Sequence, residues 1–321
     1  MLENLYISPS IATLSNGLTM SAVILGEFAA LGAAISWAVA PILYRRALFK
    51  MTPMSANIVR CASNAAVLVL ILFAFGKAGA VASLPLEAVA VIVASGIIGL
   101  GIGDTLYMIG LNSVGVARAV PLAATYPLFS LVWAIMLGEP VTVTAVLGAF
   151  VILLGIWLLS KEKNENAAGA KGKLAFRGVI ASLATAVAWS VSITLMNVAV
   201  TMASVNSIDA NYAVVTTRIA AIAVFLLVLS PVLDKNRGFL KIKRSTLIEL
   251  CVGGLVANAV GWLLMNYSFL NILEAQAVPI SSTTPLFSAI AGFAFFHEKI
   301  TANNTLGAIV VVAGVFLIFM V

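Results

Sequence analysis

Three arginines stand inside long apolar stretches of this chain, where an unpaired cation is energetically costly. They are Arg60, Arg118 and Arg218. An arginine near the centre of a bilayer costs at least ~2.5 kcal/mol unless it faces water or an ionic partner. Two interpretations of Arg60 and Arg218 are open. They form a cationic wall that recognises a carboxylate or phosphate, or they are structural residues satisfied by backbone carbonyls or by Asp104.

Asp104 is the clearest acidic residue inside an apolar stretch, and it follows a run of glycines from Gly96 to Gly103. The glycines leave one helix face bare, so we expect a neighbouring helix to approach closely there. The carboxylate either carries a coupling proton or permanently neutralises one of the arginines. We therefore group Asp104 with Arg118 as predicted coupling or charge-pairing residues.

Aromatic, amide and hydroxyl side chains in the same stretches are candidates for binding a polar solute. Trp37 and Trp189 fall near the middle of their stretches, and a buried indole needs a hydrogen-bond partner. The alternative for each residue is a hydrogen bond between helices or simple packing. The predicted substrate-binding set is Trp37, Arg60, Asn64, Tyr107, Tyr126, Trp189, Arg218, Asn258, Trp262, Ser282 and Thr284.

Two prolines, Pro127 and Pro285, are expected to bend the helices that contain them, because proline removes a backbone donor. The freed carbonyls need hydroxyl groups or water as substitutes. We expect either a kink beside a cavity or a plain bend that nearby Ser and Thr side chains satisfy.

No pattern in the chain suggests an enzyme. The single histidine, His297, lies in a loop beside Glu298 and Lys299, and no metal-ligand spacing or phosphate loop occurs in a usable context. We predict no catalytic residue, no metal site and no cofactor. The net charge of +6 does not indicate a nucleic-acid partner, because the basic residues lie in short loops between apolar stretches.

The composition is that of a membrane protein. Hydrophobic residues make up 62% of the chain and charged residues 9%, with a mean hydropathy of +1.12. Soluble domains usually contain about 25% charged residues. Cys61 and Cys251 both lie in apolar stretches, so we expect them to be small buried hydrophobic residues rather than a disulfide.

Ten apolar stretches have about the 20 residues that a helix needs to cross a bilayer. We number them as spans one to ten: 22–44, 53–76, 86–111, 117–137, 142–160, 177–201, 208–231, 246–270, 275–296 and 302–320. The predicted fold is an all-α integral membrane protein. Its expected parts are a tail (1–21) without the features of a signal peptide, a five-helix unit (22–160), a linker (161–175) and a second five-helix unit (176–321).

The two units are copies of one another. At an offset of 158 residues, Ala117, Ala119, Val120, Pro121 and Pro127–Ser130 recur as Ala275, Ala277, Val278, Pro279 and Pro285–Ser288, and Arg60 and Gly103 as Arg218 and Gly261. At slightly different offsets, Gly26 and Trp37 match Gly178 and Trp189, and Glu139, Thr142, Gly148 and Gly155 match Glu298, Thr301, Gly307 and Gly314. An internal repeat in a membrane chain points first to a transporter. We expect Glu139 and Glu298 to cap the last helix of each unit.

Five spans in each unit predict that the second copy enters the membrane in the opposite sense. The loops that follow odd-numbered spans contain 14 basic residues, against Lys77 alone in the even-numbered loops. The positive-inside rule then places the odd loops in the cytoplasm and both termini outside. Inverted copies predict a cavity between them near the midplane and transport by alternating access.

The motifs resemble those of the drug/metabolite transporter superfamily, in its EamA-like branch. The resemblance is carried by Trp37, the Ala-x-Ala-Val-Pro entry to span four, the Pro-Leu-Phe-Ser core, and the turns 138–142 and 297–301. It covers about residues 22–321. It implies ten helices around a central cavity and export or exchange of small metabolites, such as amino acids in some relatives and sugar phosphates or nucleotide sugars in others.

We therefore expect a multi-pass protein of the cell membrane that moves a small polar or amphipathic solute. Three arginines inside the membrane against one central acid, Asp104, favour anions or zwitterions, including carboxylate-bearing solutes. The alternative is a flippase, or a membrane subunit without transport of its own, that handles a lipid-linked substrate. The expected partners are a small molecule and the bilayer. A monomer is the first expectation, because one chain supplies both units, and a homodimer stays open.

Overall fold

The computed structural model describes residues 20–160, 173–288, 290 and 302–319. Every regular element in these ranges is helical. The expected tail (1–21) and linker (161–175) lie outside the described residues, apart from 20–21 and 173–175, which belong to helices. The turn 297–301 and most of the second half of span nine also lie outside them.

Spans one to five form the first unit, and their observed bounds lie within a few residues of the predicted ones. The helices are Met20–Leu48, Pro53–Ala74, Leu86–Val114, Val116–Ala123 followed by Tyr126–Met136, and Val143–Ser160. A short helix, Ala78–Ala82, connects spans two and three.

Spans six to ten form the second unit. The helices are Lys173–Met202, Ile208–Leu233, Arg244–Phe269, Glu274–Ser281 at the start of span nine, and Ala302–Phe319. Among the described residues, seven helices are long and apolar enough to cross a membrane, and spans five and ten contain shorter apolar helices. The all-α, two-repeat fold class is confirmed.

Local sequence signals set several helix ends. Thr52 precedes span two and its hydroxyl accepts the Ser55 N–H at 3.2 Å. Pro53 occupies the first helical position, where its missing donor costs nothing. Ser207 caps span seven in the same way by accepting the Ala210 N–H at 3.1 Å. Spans three and four are separated by Gly115, whose φ of +78° favours glycine.

Spans three and eight each contain a π-helical segment at matching positions. The segments are Gly96–Gly103 and Leu255–Gly261. Span six packs on the first segment and span one on the second. The indole rings of Trp189 and Trp37 lie against Gly103 and Gly261, where a β-carbon would collide with them. The close helix approach expected at the glycine run is therefore present. It occurs twice: span six of the second unit packs on span three of the first, and span one of the first unit packs on span eight of the second.

Spans four and nine are interrupted at matching places. Residues 124–125 and 282–283 form turns just before the two prolines. Nearby hydroxyls bond to backbone carbonyls there, as Thr125 Oγ1 does to Leu122 O at 2.8 Å and Thr283 Oγ1 to Ile280 O at 2.8 Å. The Tyr126 and Ser281 hydroxyls then bond to each other at 3.0 Å, so the two interruptions meet between the units.

Equivalent spans of the two units pack antiparallel, which establishes the inverted sense of the repeat. In spans two and seven, Ser55 contacts Asp234 at one end and Leu68 contacts Tyr212 at the other. In spans five and ten, Gly148 lies against Gly314 and Gly155 against Gly307. Residue numbers rise along one helix as they fall along its partner, so the helices run in opposite directions.

The glycine contact between spans five and ten gives a testable prediction. A β-carbon at Gly155 would lie 2.6–2.9 Å from Val311 Cγ2, Val311 N and Gly307 O. We expect Gly155→Leu to lower the Tm of the purified protein by roughly 2–10 °C, because overpacking costs about 1–3 kcal/mol. The matched control is Gly79→Leu, where none of the described atoms lies within 4 Å of the added β-carbon. Equal Tm values for the two variants would contradict this packing.

Candidate functional site

A cavity of about 100 Å³ lies between the two units and is lined by residues from both. It is several times larger than the space that a single water needs. Ten of the thirteen predicted site residues line it: Trp37, Arg60, Asp104, Tyr107, Tyr126, Trp189, Arg218, Asn258, Trp262 and Thr284.

Arg60 is neutralised within the cavity wall. Its side chain is 1% exposed, and Nη2 lies 2.6 Å from Asp104 Oδ2. The same nitrogen donates to Asn57 Oδ1 at 2.6 Å, and Nη1 donates to the Tyr44 hydroxyl at 3.4 Å. Arg60 and Asp104 therefore form an ion pair in the cavity wall.

Asp104 connects the two units as well as compensating Arg60. Its Oδ1 accepts the indole N–H of Trp189, from span six, at 2.7 Å. Asn57 donates to Leu100 O at 2.8 Å and so fixes span two to the π-helical segment that precedes Asp104. Both oxygens of the carboxylate are thus engaged, and its position is set by spans two, three and six together.

Arg218 is buried to the same extent as Arg60 but has no carboxylate partner among the described residues. Nη2 donates to Ser192 Oγ at 2.6 Å, and the guanidinium lies 3.8 Å from the centre of the Trp262 ring. Nε and Nη1 have no hydrogen-bond partner there. The glycine run of span three provides room for this side chain, because a β-carbon at Gly96 would meet Arg218 Cγ at 3.3 Å. Two arginines and one aspartate leave the described cavity lining with one excess positive charge.

Aromatic rings form much of the wall, and the indole N–H groups of Trp37 and Trp189 donate to protein partners. Trp37 Nε1 donates to Ala257 O at 2.9 Å. The Trp37 and Trp262 rings lie 5.8 Å apart between centroids, and those of Tyr107 and Trp189 lie 4.8 Å apart. The surface offered to a solute is therefore largely apolar and aromatic, with the cation of Arg218 on one side.

Three predicted residues lie away from this cavity. Asn64 is buried against Gly254 of span eight, and its amide has no partner among the described residues. The Ser282 hydroxyl donates to Pro279 O at 2.6 Å within its own helix break. Arg118 is half-buried in the first turns of span four, and the ion pair of Asp104 is formed with Arg60 instead.

The sequence analysis missed a buried polar contact between the units at their even-loop ends. Asn197 Nδ2 donates to Glu139 Oε1 at 3.1 Å and to Glu274 Oε2 at 3.0 Å. Thr194 Oγ1 also donates to Glu274, at 2.5 Å. The comparison of the two repeats could not identify Glu274, because the equivalent residue of the first unit is Val116.

The predicted role of Glu139 as a cap of its own last helix is wrong. Its Oε2 accepts the N–H of Ala275, at the start of span nine in the other unit, at 3.3 Å. Span five is capped instead by Thr142, whose hydroxyl accepts the Ala145 N–H at 3.1 Å. Glu139 follows the end of span four, and burial raises the pKa of its carboxyl, while the bond from Ala275 opposes that rise. The position of Glu139 just before span five in the sequence could not show which helix N-terminus its carboxylate reaches.

Two similar proteins cover nearly the whole of this chain. A curated relative described as an "Uncharacterized transporter" from Archaeoglobus fulgidus is 25% identical over 297 residues, which cover 90% of this chain and 96% of the relative. A solved structure described as "Crystal structure of protein" superposes with a TM-score of 0.70 at 18% identity, over 94% of this chain and 98% of the other. That structure supports the fold alone.

The family comparison covers both units. The model of the EamA-like transporter family matches residues 24–161 and again residues 176–320. Together the two matches span most of the chain, on either side of the expected linker. Because the family model matches both units over most of its length, this chain belongs to the EamA-like transporter family.

Proposed function

We propose that this transporter is a secondary carrier that moves small anionic or zwitterionic metabolites by alternating access around the central cavity. The observation that supports this most directly is Arg218. It is buried, it lines a cavity shared by both units, and two of its N–H-bearing nitrogens have no partner among the described residues.

A carboxylate is the ligand chemistry that this geometry favours. A guanidinium binds carboxylate oxygens through two parallel hydrogen bonds, which are stronger than bonds between neutral groups. The stacked Trp262 ring holds the guanidinium in place, so little side-chain freedom is lost on binding. The aromatic wall would cover the remainder of the solute.

The inverted repeat supports the transport mechanism. Copies that are upside down relative to one another can exchange conformations and so open the cavity to either side. The cavity of about 100 Å³ is smaller than the usual ligand pocket of about 300–1,000 Å³. A solute therefore needs the units to move apart, and the Glu139–Asn197–Glu274 contact is one of those that must separate when the even-loop end opens.

Replacing Arg218 tests the proposed solute site. We expect carboxylate-bearing members of a panel of amino acids and organic acids to raise the Tm of the wild type, because binding to the folded state stabilises it. Arg218→Gln should abolish these shifts and the uptake of the same solutes into proteoliposomes. Arg244→Gln is the matched control, since this exposed arginine lies outside the cavity lining.

Two outcomes would contradict the proposed function. Stronger stabilisation by hydrophobic cations than by carboxylates would exclude an anion-preferring cavity. Activity that follows the lipid head group, with no response to any soluble solute, would favour a flippase.

The ion pair between Arg60 and Asp104 leads to a prediction about stability rather than about solute binding. Asp104→Asn should lower the Tm strongly, because removing one partner of a buried pair costs about 3–5 kcal/mol. Adding Arg60→Gln to this variant should recover much of the loss, since no uncompensated charge then remains. Thermal unfolding of the two single variants and the double variant measures this coupling. Additive losses would show that the pair is not the source of the stability.

A further inference from the structure

A second cavity, of about 580 Å³, lies at the odd-loop ends of four spans. Its lining residues come from the starts of spans two and six, the end of span three and the end of span seven with the loop after it: Thr52, Pro53, Met54, Thr105, Ile109, Asn112, Ser113, Leu174, Arg177, Val232, Leu233, Asp234, Lys235 and Asn236. We call it the flank cavity. The flank cavity lies between the two units, since spans two and three belong to the first unit and spans six and seven belong to the second unit.

The flank cavity is separate from the central one. On span three, Asp104 and Tyr107 line the central cavity, whereas Thr105 and Ile109 line the flank cavity. Successive residues of a helix point about 100° apart, so the two sets occupy different faces of the same helix. The proposed carrier function does not use the flank cavity.

Its charged groups give it a positive character. Arg177 and Lys235 are exposed, and neither forms an ion pair with any residue that the structure describes. The one acidic group of the lining is Asp234. Its Oδ2 is occupied by the Ser55 hydroxyl at 2.6 Å and the Phe239 N–H at 3.2 Å.

A third cation lies at the edge of the flank cavity. Arg45 Nη1 donates to Asn112 Oδ1 at 3.3 Å and to the Asn112 carbonyl at 3.2 Å. Because the side-chain oxygen of Asn112 accepts from Arg45, its amide nitrogen is left as a donor for an anion.

The cationic rim adjoins an apolar wall. Leu174, Val232 and Leu233 line the flank cavity and are 53%, 69% and 40% exposed. These side chains lie at the ends of membrane-crossing helices, where apolar surface meets acyl chains and basic side chains meet head groups. A free inorganic anion would leave this wall uncovered, whereas a phospholipid would cover it with its acyl chains.

We propose that the flank cavity binds the phosphate head group of an anionic phospholipid, with Arg177 and Lys235 as its cationic ligands. The lipid would bridge the two units at their odd-loop ends and stabilise the arrangement of spans seen here. A cavity of this volume accommodates a head group, because small-ligand sites usually measure about 300–1,000 Å³.

The test uses the full-length purified protein in detergent, with phosphatidylglycerol and phosphatidylcholine as probes. We expect phosphatidylglycerol to raise the Tm of the wild type by several degrees and phosphatidylcholine to have little effect. In Arg177→Gln/Lys235→Gln the phosphatidylglycerol shift should fall by about two thirds or more, because both cationic ligands are lost. The matched control is Lys241→Gln/Arg244→Gln, which removes the same charge from exposed residues on the same side, outside the flank cavity.

Each of the following results would overturn the proposal. Equal losses in the two double variants would show general surface attraction. A full shift with inorganic phosphate at about 10 mM would show a free-anion site. An equal shift with phosphatidylcholine would remove the role of head-group charge. If the double variant fails to fold, Arg177→Gln and Lys235→Gln are measured singly, and an unchanged shift in both would also exclude the site.

Arg218→Gln separates this inference from the proposed carrier function. We expect it to keep the phosphatidylglycerol shift while losing the solute shifts. Loss of the lipid shift in Arg218→Gln would place the lipid in the central cavity and contradict a flank site.

Discussion

Two guanidinium groups buried within lipid-embedded helices set the constraint that the rest of this structure satisfies. Arg60 meets it with Asp104, whose other oxygen accepts the indole N–H of Trp189. A buried charge without its partner costs several kcal/mol in a medium of low dielectric. One carboxylate therefore fixes the relative positions of spans two, three and six, and through span six it connects the first unit to the second.

Arg218 satisfies the same constraint without a carboxylate partner. For this reason the described lining of the central cavity carries a net positive charge. The counter-group of Arg218 is the face of Trp262 rather than a carboxylate. A cation–π contact stabilises a desolvated guanidinium by about 2 kcal/mol or more, but it leaves the formal charge uncompensated. The glycines of the π-helical segment in span three make this possible, because side chains there would occupy the space of the arginine.

The described spans and the inversion of the units could be predicted from the sequence, because apolar length and the repeat offset can be read directly from it. The partners inside the bundle could not. Asn64 lies one turn beyond Arg60 on span two, yet it packs against Gly254 instead of lining the cavity. Glu139 caps a helix of the other unit. Such contacts depend on how each helix is rotated about its axis, and a π-helical turn changes that rotation without leaving a clear mark in the apolar pattern.

The repeat is imperfect at one decisive position, since Asp104 of the first unit corresponds to Trp262 of the second. In a carrier with inverted halves, the two end states are images of each other only as far as the halves are identical. In the proposed carrier, a carboxylate and an indole would exchange surroundings between the two end states, so those states would differ in free energy. A difference of about 1.4 kcal/mol would hold about ten molecules on one side for each on the other. In the proposed carrier, a gene duplication that diverged at this site would give the empty protein a preferred resting side, although this bias cancels over a full transport cycle and leaves the net driving force to the solute gradient.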